Sequence, residues 1–116
     1  MSKPLGPYTP IMRAGDWLVS SGQIGMVEGK LVSGGVVAEL KQALDNLKGL
    51  LEGEGAKITD VVKITVFLRH MRDYQLMNDA YAEFFGEHRP ARSALAVSEL
   101  PGHALIEVEA WAYVGS

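Results

Sequence analysis

The chain has 116 residues, no cysteine and a formal net charge of −3; 47% of its residues are hydrophobic and 22% are charged. That is one domain's length of ordinary globular composition, small enough for self-association to add much to its stability. The lack of cysteine excludes disulfides, thiolate zinc sites and a thiol nucleophile, and the acidic balance gives no electrostatic footprint for nucleic acid. No apolar run is long enough for a membrane span, and Met1-Ser2-Lys3-Pro4 lacks the apolar stretch of a secretory leader, so a cytoplasmic location is the default expectation.

Residues 16–21 (Asp-Trp-Leu-Val-Ser-Ser) read as a strand, with Ile11-Met12-Arg13 as its hairpin partner across Ala14-Gly15. Residues 25–35 read as a glycine-bearing loop. Val36, Val37, Leu40, Ala43, Leu44, Leu47, Leu50 and Leu51 then recur at helical spacing, predicting an amphipathic helix that ends at Gly53 or Gly55. Residues 61–69 alternate, with Val62, Ile64, Val66 and Leu68 on one face and Lys63, Thr65 and Phe67 on the other, as in a strand. Asp73 is placed to cap a second helix whose Met77, Ala80, Tyr81 and Phe84 share a face, and Gly86 stops it. Two strands finish the chain. No repeat, linker or low-complexity segment divides it, so residues 1–116 form a single domain.

The densest chemical signal is Pro90-Ala91-Arg92-Ser93, followed by Glu107 within Leu105-Ile106-Glu107-Val108-Glu109, with the turn Glu99-Leu100-Pro101-Gly102 between them. A guanidinium presents a planar fork of donors that fits a carboxylate bidentately, and a nearby carboxylate can hold a water or shuttle a proton. Along the last strand Ile106, Val108, Ala110, Ala112 and Val114 alternate with Glu107, Glu109, Trp111 and Tyr113. In the strand before it, Ser93, Leu95 and Val97 alternate with Arg92, Ala94 and Ala96. If Leu95 and Ile106 cover one core, Arg92 and Glu107 project from the same side of one sheet and meet there. The plain alternative is a surface arginine and a surface glutamate, worth little as a pair.

The order and spacing of other segments resemble one family over nearly the whole length. They are Gly6-Pro7-Tyr8, Ser21-Gly22-Gln23-Ile24, Ala43-Leu44-Asp45-Asn46-Leu47, Val62-Lys63-Ile64-Thr65-Val66-Phe67, Asn78 with Tyr81 and Phe84-Phe85, and the stretch 90–109. Together they resemble the RidA family (reactive intermediate deaminase A, also called YjgF). The Pro-Ala-Arg-Ser segment with its downstream Leu-Pro and Ile-Glu is the most specific part.

Two helices over a strand-rich sheet already predict a two-layer α+β domain with the helices on one face, and the resemblance implies that the sheet is mixed and mostly antiparallel. The resemblance implies the chorismate-mutase-like RidA fold, assembled as a homotrimer with active sites in clefts between subunits. Trp111 and Tyr113 on the uncovered face suit such an interface; a monomer with a mixed surface is the alternative. The resemblance further implies a cofactor-free, metal-free hydrolase. It converts reactive 2-imino acids such as 2-iminopropanoate and 2-iminobutanoate to 2-keto acids and ammonia. These imines form from the enamines released by pyridoxal-phosphate enzymes, and their removal protects other such enzymes. Carried over residue by residue, Arg92 binds the substrate carboxylate and Glu107 positions the attacking water. Tyr8, Ser21, Gly22, Asn78 and Ala94 complete the substrate-binding set.

Each of these residues has a structural reading beside the functional one. Tyr8 can pack at the core edge, Ser21-Gly22-Gln23 can be a turn, and Asn78 can tie its helix to a neighbouring loop. Glu109 shares a face with Glu107 and reads as a surface or intersubunit contact. His70, His88 and His103 are too scattered for metal ligation and read as solvent-facing loop residues, Gly53-Glu54-Gly55 is a helix ending, and no serine sits in a nucleophile elbow. Two departures from the family pattern stand out. Ala94 replaces a cysteine common two residues after the arginine, and Glu87-His88-Arg89-Pro90 is a few residues shorter than the usual connection, so the cleft wall and the preferred side chain are open. Three functions compete: an imine deaminase, a non-catalytic binder of 2-keto acids or other small metabolites, and an endoribonuclease or translation inhibitor. Acidic charge counts against the last.

Overall fold

The structure, a computed structural model, describes residues 5–115. Five strands form one sheet in the order β1-β2-β7-β5-β6: β1 (Ile11–Ala14), β2 (Trp17–Ser20), β5 (Val61–Leu68), β6 (Ala91–Ala96) and β7 (Ile106–Tyr113). Among the described residues only β5 and β6 run parallel; the other pairings of this sheet are antiparallel. A separate two-stranded ribbon, β3 (Met26–Val27) and β4 (Lys30–Leu31), occupies the segment predicted as loop. Its strands are only two residues long, too short for alternation to register, and its turn is carried by Glu28 and Gly29, both at positive φ (51° and 80°).

Two helices, α1 (Gly35–Gly53) and α2 (Tyr74–Phe85), cover one face of the sheet. From α1, Leu40, Ala43, Leu44, Leu47 and Leu51 are buried against Ile64, Val66 and Leu68 of β5 and Ile106, Val108, Ala110 and Ala112 of β7. This is the two-layer α+β architecture expected from the hydrophobic spacing. None of the described helices is long and apolar enough to cross a membrane.

Two local expectations need correction. Register shifts between Val61 and Lys63, so Val61 enters the core and Val62 is left 45% exposed on the other side. Asp73 precedes α2, but its carboxylate makes no capping bond. The chain enters the helix through a 3-10 turn (Met71–Asp73), and the Tyr74 amide is already satisfied by the Met71 carbonyl. On α2, Phe84 packs partly buried against the core on the expected face, and Phe85 is buried beside it.

The far face of the sheet carries Lys63, Thr65, Phe67, Ser93, Leu95, Glu107, Glu109, Trp111 and Tyr113, as the alternation along β7 predicts. Trp17 packs edge-on against Trp111 (centroids 6.1 Å apart) and Tyr113 (5.1 Å), and all three rings remain substantially exposed.

Candidate active site

Cross-strand partners share a face, so register decides where Arg92 and Glu107 point. Arg92 lies opposite Ile64, which is fully buried under the helices; Glu107 lies opposite Phe67 on the open face. The two side chains therefore leave opposite faces of the sheet, and the expected meeting within one chain does not occur. The expectation failed at Leu95. It is apolar but 40% exposed on the open face, while Arg92, Ala94 and Ala96 turn toward α2. An edge strand permits this arrangement, because an arginine there can lay its stem on the core and carry its charge out past the sheet edge.

Glu107 stands in a cleft of about 300 Å³ lined by Leu5, Gly6, Tyr8, Ser21, Gly22, Ile24 and Pro101. Burial in this cleft pushes its carboxyl above the usual carboxylate range, and the neighbouring Glu109 charge adds to the rise. Among the described residues the one ion pair joins Arg13 to Glu54, so Glu107 has no cation of its own. A Cβ at Gly22 would overlap the Glu107 carboxylate oxygen and lie 2.6 Å from its Cδ. Only glycine lets the backbone come this close. Gly22→Ala should displace the carboxylate and lower kcat on the order of a hundredfold while the fold melts as a normal two-layer domain, since about 1 Å of misplacement suffices for such a loss. Steady-state rates beside a thermal melt check it.

Several bonds hold this wall in place. The Ser21 hydroxyl donates to the Thr9 carbonyl (2.6 Å), and Gln23 pairs with Val108 through both backbone bonds (2.7 and 2.9 Å), which brings Gly22 alongside Glu107. Asn46 of α1 donates to the carbonyls of Ile24 (3.1 Å) and Met26 (3.0 Å), fixing the loop beyond. The Tyr8 hydroxyl oxygen accepts from the Leu5 amide (3.1 Å), so its ring folds back over the cleft instead of packing into the core. Tyr8, Gly22 and Ile24 also border an adjoining groove of about 480 Å³ between the β3–β4 ribbon and α1.

One contributor escaped the sequence reading altogether. Glu39 of α1 is only 4% exposed, and its carboxylate accepts the Leu105 amide (2.7 Å), pinning the helix to the chain just before Glu107. Burial raises its pKa and the amide bond partly offsets that rise. A charged residue within an apolar stripe, at Val36-x-x-Glu39-Leu40, was the available signal.

On the opposite face, the Arg92 guanidinium lies over the Tyr81 ring (4.8 Å to its centroid) and beside Tyr74 and Met77. Asn78 shares this face of α2 by helical spacing. Its Oδ1 is buried and, among the described residues, has no hydrogen-bond partner on any loop or elsewhere. Ala94, two residues on from Arg92, packs partly buried against the core. The structure thus groups Tyr8, Ser21, Gly22 and Glu107 in one place, and Arg92, Ala94 and Asn78 in another. His88, expected to face solvent, instead bonds the Val61 carbonyl (2.8 Å) and stacks near Phe85.

A family model described as Endoribonuclease L-PSP matches residues 1–114. The chain belongs to this family, the RidA (YjgF) family. Among RidA relatives, it is 46% identical over 113 residues to a RutC family protein of Pyrococcus horikoshii (96% of this chain, 90% of the relative). It is 42% identical over 113 residues to the 2-iminobutanoate/2-iminopropanoate deaminase of Homo sapiens (96% of this chain, 82% of the relative). The crystal structure of E. coli TdcF with bound serine superposes with a TM-score of 0.91 at 31% identity, covering 97% of this chain and 91% of that one. The RidA fold expected from the resemblance is therefore the fold of this chain.

Proposed function

We propose that this RidA-family protein hydrolyses 2-imino acids to 2-keto acids and ammonium, in sites assembled where Arg92 of one copy faces Glu107 of another. The observation that carries this reading is the Glu107 carboxylate, desolvated and without a cation of its own, in a cleft that only the bare Gly22 backbone leaves open. Relatives named as imine deaminases support it, as does a serine-bound relative, since serine carries the carboxylate and nitrogen of such a substrate. The placement of Arg92 and Glu107 on opposite faces favours sites shared between copies, and the exposed rings of Trp17, Trp111 and Tyr113 give the open face the apolar character of an interface. A homotrimer is the assembly this implies in the family.

The chemistry runs on positioning and proton transfer. The Arg92 guanidinium holds the substrate carboxylate bidentately and so sets the iminium carbon over the cleft. Ionised Glu107 orients a water, takes a proton as the water oxygen bonds to that carbon, and hands the proton to the nitrogen of the resulting carbinolamine. The C–N bond then breaks as the hydroxyl proton passes to Glu107 and a carbonyl forms. Glu107 returns the proton to the departing ammonia. Iminium and water in, keto acid and ammonium out, the charges and atoms balance. The negative carboxylate also favours the cationic iminium and the developing ammonium. Removal of such imines next to the pyridoxal-phosphate enzymes that generate them is the corresponding role.

The endoribonuclease description is not matched by the chemistry here: the net charge is −3, and the cleft is built round a carboxylate with Glu109 beside it. The test couples an amino-acid oxidase to the protein and follows the released imine by semicarbazide trapping. The reading expects faster loss of imine when the protein is present. No acceleration with several side chains would leave metabolite binding without turnover as the better description.

A further inference from the structure

The Arg92 guanidinium is held from several sides by α2. Its Nη1 lies 3.5 Å from the Met77 sulfur, its Cζ sits over the Tyr81 ring at 4.8 Å from the centroid, and its Nη2 donates to the Tyr74 hydroxyl oxygen at 3.1 Å. Tyr74, Met77 and Tyr81 recur at the spacing of one helix face, so α2 presents all three to β6 together. The two tyrosines differ in what their hydroxyls do. That of Tyr81 is buried and unpartnered among the described residues, and burial pushes its pKa up to about 12. That of Tyr74 is at the exposed rim, next to the donor edge of the guanidinium.

We infer that Tyr74 is a second anchor for the substrate carboxylate and a specificity residue of the site. A phenol oxygen that accepts from Arg92 keeps its own hydrogen free. A carboxylate seated on the guanidinium edge puts an oxygen within reach of that hydrogen, so Arg92 and Tyr74 grip it jointly. The same bond stops the guanidinium from rotating off the rim, which fixes the edge it offers. The Tyr81 ring and Met77 supply the bed on which this flat cation lies, an arrangement an ammonium cannot copy. The pair selects anionic imino acids over neutral imino amides and esters, because a neutral group leaves the guanidinium unpaired.

The inference rests on the reading of Arg92 given above, and the experiment separates the two. Tyr74→Phe keeps the ring and removes only the hydroxyl. KM for the imino acid and Kd for pyruvate, read by calorimetry, should each rise about tenfold, as for loss of one hydrogen bond to a charged group. The value of kcat and the thermal melt should stay at the wild-type level, a split that a merely structural role does not produce. Unchanged KM and Kd in Tyr74→Phe, with pyruvate binding abolished in Arg92→Ala, would overturn the role of Tyr74 alone. A fall in kcat at constant KM would overturn it too. Pyruvate binding that survives Arg92→Ala would remove the carboxylate site itself, and the inference with it.

Discussion

Arg92→Ala is expected to lose about 3 kcal/mol of substrate interaction, on the order of a hundredfold in kcat/KM, mostly through KM. In the proposed role the side chain supplies the fork that holds the substrate carboxylate, and the groups that touch it, the Tyr74 hydroxyl, the Tyr81 ring and the Met77 sulfur, carry no charge to stand in for it. The fold should tolerate the change, because Arg92 lies on an edge strand and is only partly buried. Some stability is lost with the contact of its guanidinium over the Tyr81 ring. Imine hydrolysis measured over a range of substrate concentration, with a thermal melt as control, separates the two effects. Wild-type KM in the variant would place the carboxylate elsewhere.

Glu107→Gln carries the second large effect, and it falls on kcat. Glutamine fills the same space but can neither accept the proton of the attacking water nor return it, a loss on the order of a thousandfold. Binding of a 2-keto acid should persist, which distinguishes a catalytic carboxylate from one that merely shapes the cleft. The pH dependence follows from the raised pKa. Catalysis needs the ionised form, so activity should fall on acidification through a midpoint above the ordinary glutamate value of about 4.3. Stability runs the other way. A carboxyl whose pKa is higher folded than unfolded favours the native state while protonated, and that contribution disappears as pH rises through the folded value. At neutral pH removal of the buried charge should therefore favour the fold of the variant's single chain, an advantage reduced in the assembly by the lost attraction to Arg92 of the neighbouring copy, while the variant is inactive. A variant that turned over normally would leave Glu107 as a structural group.

Much of the fold was legible because it rests on period. The leucine stripe of α1 and the alternation along β7 each point a face at the core, and the structure uses both as read. What resisted reading depends on neighbours that are distant in sequence. The β3–β4 ribbon is too short to show a period, and the shift at Val62 has no local sign. The orientation of β6 turned on a rule that apolar residues face inward. At an edge strand α2 reversed that rule, offering Tyr81 and Met77 to an arginine and leaving Leu95 outside. The residue types of the site were visible in Pro90-Ala91-Arg92-Ser93 and Ile106-Glu107, but their geometry was not. A sheet brings strands together, and only the register tells which face a side chain takes. Glu39 was passed over for a related reason: its partner is a backbone amide across the fold, which no motif announces.

Hybrid oligomers decide whether each site is shared between copies. Arg92→Ala and Glu107→Gln chains, each far below wild-type turnover alone when substrate is kept well under KM, would be unfolded, mixed in equal amounts, refolded together and assayed under that condition. If every site takes Arg92 from one copy and Glu107 from its neighbour, random assembly leaves both residues intact in about a quarter of the sites, and imine hydrolysis returns to about a quarter of the wild-type rate. Activity that stayed at the level of the separate variants would contradict a site shared between copies.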